Sequence, residues 1–248
     1  YGLYNINGTL VIPIEYDYMA KSPNDNGYIC AGKGGKKGFI NKNNEVVIDF
    51  KYKDAVDYFS GGYVRVSDGE AWGMIDKVGK VITKIRYQVI KPYKNGYARV
   101  KAFGGHKGGY NEKGYYDSNS KCGYLNNKGE LAIDCKFWDV WDFNEEGYAK
   151  VKDEYASSLF GHGMIENHGA YVISPVWDDV VLINEKGVGL VKKNGKYGYV
   201  SPVNSYMTGV KFDKAYLFKE GSQKAKAKFD GRTYEVEIKN GDLIDFTS

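Results

Sequence analysis

The sequence predicts an all-β chain of about six tandem units, each near 35 residues. Three observations predict it. Dipeptides ending in Gly recur at Gly2, Gly38, Gly73, Gly123, Gly163 and Gly198, at spacings of 36, 35, 50, 40 and 35 residues. A second set of glycines opens Gly-Tyr-type segments at Gly27, Gly62, Gly96, Gly147, Gly187 and Gly221, at spacings of 35, 34, 51, 40 and 34. Third, no segment sustains a 3.6-residue apolar period, so helices are limited to single turns. Two frames with the same irregular series define one repeat, lengthened by about 15 residues in the third copy and about 5 in the fourth.

Each unit carries its signals in a fixed order. A hairpin comes first, as in Gly38-Phe39-Ile40-Asn41 or Gly73-Met74-Ile75-Asp76-Lys77-Val78-Gly79. There a short alternation leads through an Asn, Asp or Gly turn into a β-branched run. An aromatic-acidic stretch follows: Tyr16-Asp17, Tyr52-Lys53-Asp54, Phe137-Trp138-Asp139, Trp177-Asp178-Asp179 and Phe212-Asp213. The Gly-Tyr strand comes last, such as Tyr63-Val64-Arg65-Val66-Ser67, and a turn such as Asp68-Gly69 joins it to the next unit. The units start near 2, 38, 73, 123, 163 and 198, with a partial unit from about 233, in a single domain of residues 1–248. The chain thus holds seven hairpins but six Gly-Tyr strands.

With three or four short antiparallel strands per unit, no copy buries both faces alone, so the copies stack. Radial stacking gives a β-propeller-like array and linear stacking an open β-solenoid. The scale of the repeat and its turns favour the propeller-like arrangement.

Residues 71–82, Ala-Trp-Gly-Met-Ile-Asp-Lys-Val-Gly-Lys-Val-Ile, resemble the signature of the bacterial WG (KWG) repeat family. Lys196-Tyr197-Gly198-Tyr199-Val200 and residues 2–13 are similar to it with conservative changes. The resemblance spans the chain, although the signature Trp survives only at Trp72, with Tyr, Lys, Cys and His in its place elsewhere. Gly2, Gly38, Trp72, Gly73, Gly123, Gly163 and Gly198 are the signature positions, read as structural. The resemblance implies a bacterial source and, loosely, the cell envelope or secretion, with a cytoplasmic location left open. It implies little about activity.

The composition, 42% hydrophobic and 27% charged, is that of a folded chain. No apolar run is long enough for a membrane-spanning helix. The N-terminus shows no basic-then-apolar pattern, so a signal peptide is either missing or removed. A net charge of +4 with interspersed signs argues against a nucleic-acid partner.

Chemical motifs are scarce. Gly32-Lys33-Gly34-Gly35-Lys36-Lys37-Gly38 lacks the Ser or Thr and the helix of a phosphate loop, and reads as a hairpin turn. The acids Asp54/Asp57, Asp139/Asp142 and Asp178/Asp179 recur at equivalent positions, which suits the capping of turn N–H groups better than acid–base catalysis. His106, His162 and His168 form no zinc pattern, and no nucleophile elbow is present. No catalytic residue, cofactor or metal site is expected, and the chain reads as a non-enzyme. Cys122 and Cys135 flank one hairpin and are either a cross-strand disulfide or two buried small residues. Lys224, Lys226 and Lys228 share one strand face, read as solvated.

Departures from the repeat are where function is sought. The insertion at residues 102–121 places His106, Tyr110, Tyr115 and Tyr116 among glycines, a composition common in recognition loops. The shorter insertion, residues 153–160, joins the same pair of strands one unit later and adds Tyr155 and Phe160. The expected function is a non-catalytic protein-binding or scaffold module contacting a partner through these loops. The alternative is glycan or cell-wall binding through exposed aromatics.

Overall fold

A computed structural model describes residues 1–103, 120–156, 159–181, 189–201, 206–218, 222, 224–239 and 242–247. No helix occurs among them. The chain divides into two compact units, Tyr1–Lys136 and Phe137–Ser248.

In the first unit, β1 (Leu3–Tyr4) and β2 (Leu10–Ile12) form a two-stranded hairpin. β3 (Tyr18–Met19), β4 (Ile29–Lys33), β5 (Lys36–Ile40) and β6 (Val46–Tyr52) follow as a four-stranded antiparallel meander in chain order. β7 (Asp54–Ala55), β8 (Tyr63–Ser67), β9 (Trp72–Asp76), β10 (Val81–Lys94), β11 (Tyr97–Ala102), β12 (Cys122–Leu125) and β13 (Leu131–Phe137) make one seven-stranded sheet.

The second unit holds three four-stranded meanders. They are β14 (Asp139–Val140), β15 (Tyr148–Ala156), β16 (Leu159–Glu166) and β17 (Tyr171–Trp177); β18 (Asp179–Val181), β19 (Gly189–Lys193), β20 (Lys196–Ser201) and β21 (Tyr206–Met207); and β22 (Lys214–Ala215), β23 (Lys224–Phe229), β24 (Arg232–Lys239) and β25 (Asp242–Thr247). These sheets are propeller-like blades, as the repeat predicts.

Each blade is offset from the sequence unit. It begins with the aromatic-acidic strand and the Gly-Tyr strand of one repeat and ends with the hairpin of the next. That offset explains seven hairpins with six Gly-Tyr strands: the first hairpin stands as its own two-stranded sheet.

The repeat glycine owes its identity to a close approach. At Gly38, Gly73 and Gly163 the hairpin register shifts between Lys37 and Phe39, between Trp72 and Met74, and between His162 and Met164. A Cβ on Gly2, Gly38, Gly73 or Gly163 would lie 2.6–2.7 Å from the carbonyl oxygen of Ile12, Ile48, Thr83 or Ile173. On Gly123 it would lie 2.4 Å from Ile133 O. In all five the oxygen belongs to the residue ten positions on. The second frame uses glycine differently: Gly27, Gly62, Gly96 and Gly147 have φ of 75–85°, a left-handed conformation that side chains resist.

The hairpin turns are closed by side chains. Asn41 Oδ1 accepts from Asn43 N and Glu45 N at 2.9 and 3.0 Å, and Asp76 Oδ1 from Val78 N and Lys80 N, both at 2.9 Å. The recurring acids do similar work. Asp17, Asp178 and Asp213 each accept from a turn N–H of the neighbouring hairpin, those of Gly35, Asn194 and Asp230. Asp54, Asp139 and Asp179 each accept from the next residue's N–H at 2.9 Å.

The third repeat breaks the rule and merges two blades. After Tyr87 it has Gln88 where its sisters have an acid or an acid one residue later, and β10 runs unbroken for 14 residues. Its first half pairs with β9 (Tyr87↔Trp72) and its second with β11 (Ile90↔Val100).

Core residues alternate along the strands; in β11, Ala98, Val100 and Ala102 are buried between half-exposed neighbours. They pack between consecutive sheets. Cys30, Phe39, Ile48 and Tyr52 of one blade meet Ala55, Val64, Val66 and Ile75 of the next. In the second unit Tyr199, Phe212, Ala225, Ala227 and Val236 do the same. Each fully buried large side chain contributes about 1.5–3 kcal/mol relative to exposure.

The cross-strand bridge between Cys122 and Cys135 does not form, and both remain thiols. Register gives the reason. In the sister hairpins the residue before the repeat glycine faces the one 15 positions on: Lys37↔Tyr52, Trp72↔Tyr87 and His162↔Trp177. The equivalent of Tyr52 for Cys122 is therefore Phe137, and Cys135 falls two residues short. Burial pushes the Cys135 thiol up to about 12.

Candidate functional site

His106, Tyr110, Tyr115 and Tyr116 lie outside the described residues. Their anchor points are described. β11 and β12 pair from Ala98↔Leu125 to Lys101↔Cys122, and Ala102 N donates to Lys121 O at 2.9 Å. The insertion therefore leaves and returns at one end of a hairpin.

The second insertion is not the loop that its sequence suggests. Residues 153–156 and 159–160 extend the ladder of β15 and β16 as far as Ala156↔Leu159, with a bulge between Glu154 and Ala156. Tyr155 lies on this extension in β15. Tyr171 of β17 steadies it, donating to Asp153 Oδ2 at 2.5 Å.

Phe160 is 43% exposed and meets Trp138 edge-on, with centroids 4.9 Å apart and planes at 84°. Along the same sheet Trp141 meets His162 at 5.5 Å. Lys150 Nζ sits 4.5 Å over the Trp141 ring and 3.0 Å from Asp179 Oδ1. His162 Nδ1 is 2.7 Å from Asp178 O. With Leu159 53% exposed, this is a half-open aromatic patch edged by Lys150, the Asp179 carboxylate and the Asp178 carbonyl. Trp138 and Trp141 were not singled out from sequence. Their signal is the run Phe-Trp-Asp-Val-Trp-Asp at 137–142, where sister stretches have no Trp pair.

The first unit holds a cleft of about 610 Å³ between the β3–β4 connection and the segment after β7. Tyr1, Tyr18, Lys21, Asn24, Asp57 and Tyr58 line it. Tyr18 OH reaches both Asp57 oxygens, at 2.9 and 2.8 Å. Burial first, and then this bond to a carboxylate, hold the Tyr18 phenol above its usual range, so it stays a donor. Lys37 Nζ lies 4.5 Å over the Tyr18 ring and 2.7 Å from Asp54 Oδ1, fixing the ring from behind. Arg65 donates from Nη1 to Ile90 O at 2.9 Å and from Nη2 to Tyr58 OH at 2.6 Å. Sequence reasoning did not bring these residues together.

The basic strand β23 is offset by its partner. Lys226 faces Glu235 across the ladder, Lys224 faces Glu237, and Lys224 Nζ forms an ion pair with Glu235. No helix of the described residues is long and apolar enough to cross a membrane.

A family model described as WG containing repeat matches residues 1–36, 38–70, 72–104, 123–155 and 163–197, more than half of the chain. The chain belongs to the WG repeat family. Among solved structures, this WG-repeat chain is similar to Hsv2 of Kluyvelomyces marxianus at 13% identity and a TM-score of 0.35, covering 88% of this chain and 72% of that one. It is similar to a eukaryotic initiation factor at 15% identity and a TM-score of 0.40, covering 82% and 57%. It is also similar to the WD40 domain of Toxoplasma gondii coronin at 12% identity and a TM-score of 0.29, covering 95% and 70%. At these identities and scores none bears on function. A search of curated proteins gave no significant match.

Proposed function

We propose that this WG-repeat chain is a non-catalytic protein-binding module of a bacterial, envelope-associated assembly. It contacts its partner through the places where the repeat is broken: the inserted residues 104–118 and the aromatic patch around Phe160. The observation that carries the reading is that patch. Trp138, Trp141, Phe160 and His162 cluster beside Lys150 on a ladder lengthened beyond its sisters. Aromatic and basic side chains of this kind anchor protein interfaces. The non-catalytic part is supported by the acids, several of which are spent on backbone N–H groups of turns.

The test compares the intact chain, a 104–118 deletion and Phe160→Ala in cross-linking capture followed by binding of the purified captured protein. Loss of that binding in either variant, with the fold kept by circular dichroism, supports the reading. Full binding by both overturns it. A second reading, glycan binding, is favoured by a different observation, the tyrosine-lined cleft of the first unit.

A further inference from the structure

We propose that the cleft formed by Tyr18, Lys21, Asn24, Asp57 and Tyr58 is a binding site for a neutral saccharide. The inference rests on the glycan reading and is independent of the protein-binding one.

The hydrogen-bonding inventory of the cleft sets the ligand class. Tyr18 has committed its proton to Asp57, and a carboxylate has roughly four acceptor sites, so Asp57 keeps acceptor capacity. Tyr58 OH accepts from Arg65 Nη2, which leaves the Tyr58 proton to donate elsewhere. An acceptor and a donor thus stand on adjacent residues at the wall of one cleft. A sugar offers the same pairing on neighbouring hydroxyls, each able to donate and accept.

The rings add a stacking surface. Tyr58 is 48% exposed, and Arg65 lies 5.4 Å from its centroid. Lys37 and Arg65 hold one side of the Tyr18 and Tyr58 rings respectively, which fixes both without entropy loss on binding. The same two cations disfavour a cationic ligand, because each ring already has a positive group against it. Asp57 and Asp25 outnumber Lys21 on the cleft wall and disfavour an anion. A neutral polyol with an apolar ring face remains.

Tyr18 departs from the repeat, whereas Asp57 has its counterpart in Asp142. The position of Tyr18 carries Asp54, Asp139, Asp179 and Lys214 in other copies, so the packing of the repeat does not require a tyrosine there.

The test uses the full chain and a panel of cello-, chito-, malto- and xylohexaose, read by saturation-transfer NMR and titration calorimetry. At least one hexaose is expected to bind, with affinity about tenfold or more weaker in Tyr58→Ala and clearly weaker in Tyr58→Phe and Asp57→Asn. Asp57→Asn keeps an acceptor for Tyr18, and Tyr58→Phe removes one exposed hydroxyl, so at least one variant stays folded. Binding that is unchanged in all three variants overturns the cleft but leaves the glycan reading standing. No binding of any hexaose by the parent chain overturns both. Binding of spermidine at the cleft, lost in the same variants, overturns the neutral-saccharide assignment.

Discussion

Gly123 and Gly198 occupy the same position in their repeats, yet the strand beside each lies at a different distance. A Cβ on Gly123 would lie 2.4 Å from Ile133 O and within 2.9 Å of two backbone atoms of Asp134. On Gly198 its nearest neighbour would be Thr208 O at 3.2 Å. The difference lies in what closes the hairpin. In the looser copy Thr208 replaces the Ile found at positions 12, 48, 133 and 173, and its Oγ1 accepts from Tyr199 N at 2.9 Å. A side chain thus takes a place in the ladder and holds the strands apart. One repeat glycine is required by sterics, while at the other a Cβ would meet three backbone atoms at 3.2–3.3 Å, a tight fit that a small shift relieves.

The largest expected effect breaks this comparison directly. Gly123→Ala forces backbone to move and should cost about 3 kcal/mol, whereas Gly198→Ala asks for a few tenths of an ångström and should cost about 1 kcal/mol or less. Chemical denaturation of the two variants against the parent measures both. Equal costs would show that the glycine is kept for another reason than close approach.

Thr208→Val should come next. It keeps the shape but removes the acceptor of a buried N–H, that of Tyr199, and should cost about 1–2 kcal/mol. Thr83, the other Thr at this position, uses its hydroxyl differently, donating to Gly129 O at 2.7 Å. Hydrogen exchange at the Tyr199 amide is the sharper readout: exchange should quicken there in Thr208→Val. Unchanged protection would mean that the amide finds its partner in the ladder after all.

This contrast also shows what the sequence could reveal. The repeat glycines were legible because a close approach and a left-handed turn each admit little else, and their spacing exposed the frame. The blades followed from hairpin chemistry that is local: Asn41 and Asp76 close turns within four residues of themselves. The unbroken β10 was signalled only by a missing acid at Gln88, a weaker mark than a present one. The extension of β15 and β16 is hidden from the sequence because Tyr155-Ala156-Ser157-Ser158 carries loop composition, while the ladder is decided by what faces it across the sheet. The cleft was illegible for a different reason. Tyr18 and Asp57 stand 39 residues apart and meet only because consecutive sheets stack. No local pattern encodes that meeting.

The smallest effect separates the two copies by pH. After Phe212 comes Asp213, which accepts from Lys196 Nζ through Oδ1 and from Asp230 N through Oδ2 at 3.0 Å. The Lys196 bond first, and the Asp230 N–H second, hold the Asp213 carboxyl below its usual range. After Phe137 the other copy has Trp138, which titrates nothing. A carboxyl whose folded value is depressed stabilises the fold above its unfolded value, near pH 3.9, and that stabilisation disappears as pH falls through the folded value. In Lys196→Met the Asp213 titration followed by NMR should therefore move up, and the acid-side loss of stability should shrink. The shift should also diminish in high salt, because the pair is exposed. An Asp213 titration that is identical in parent and Lys196→Met would assign its depression to the Asp230 N–H alone, making the turn, and not the ion pair, what distinguishes this hairpin from its Trp138 counterpart.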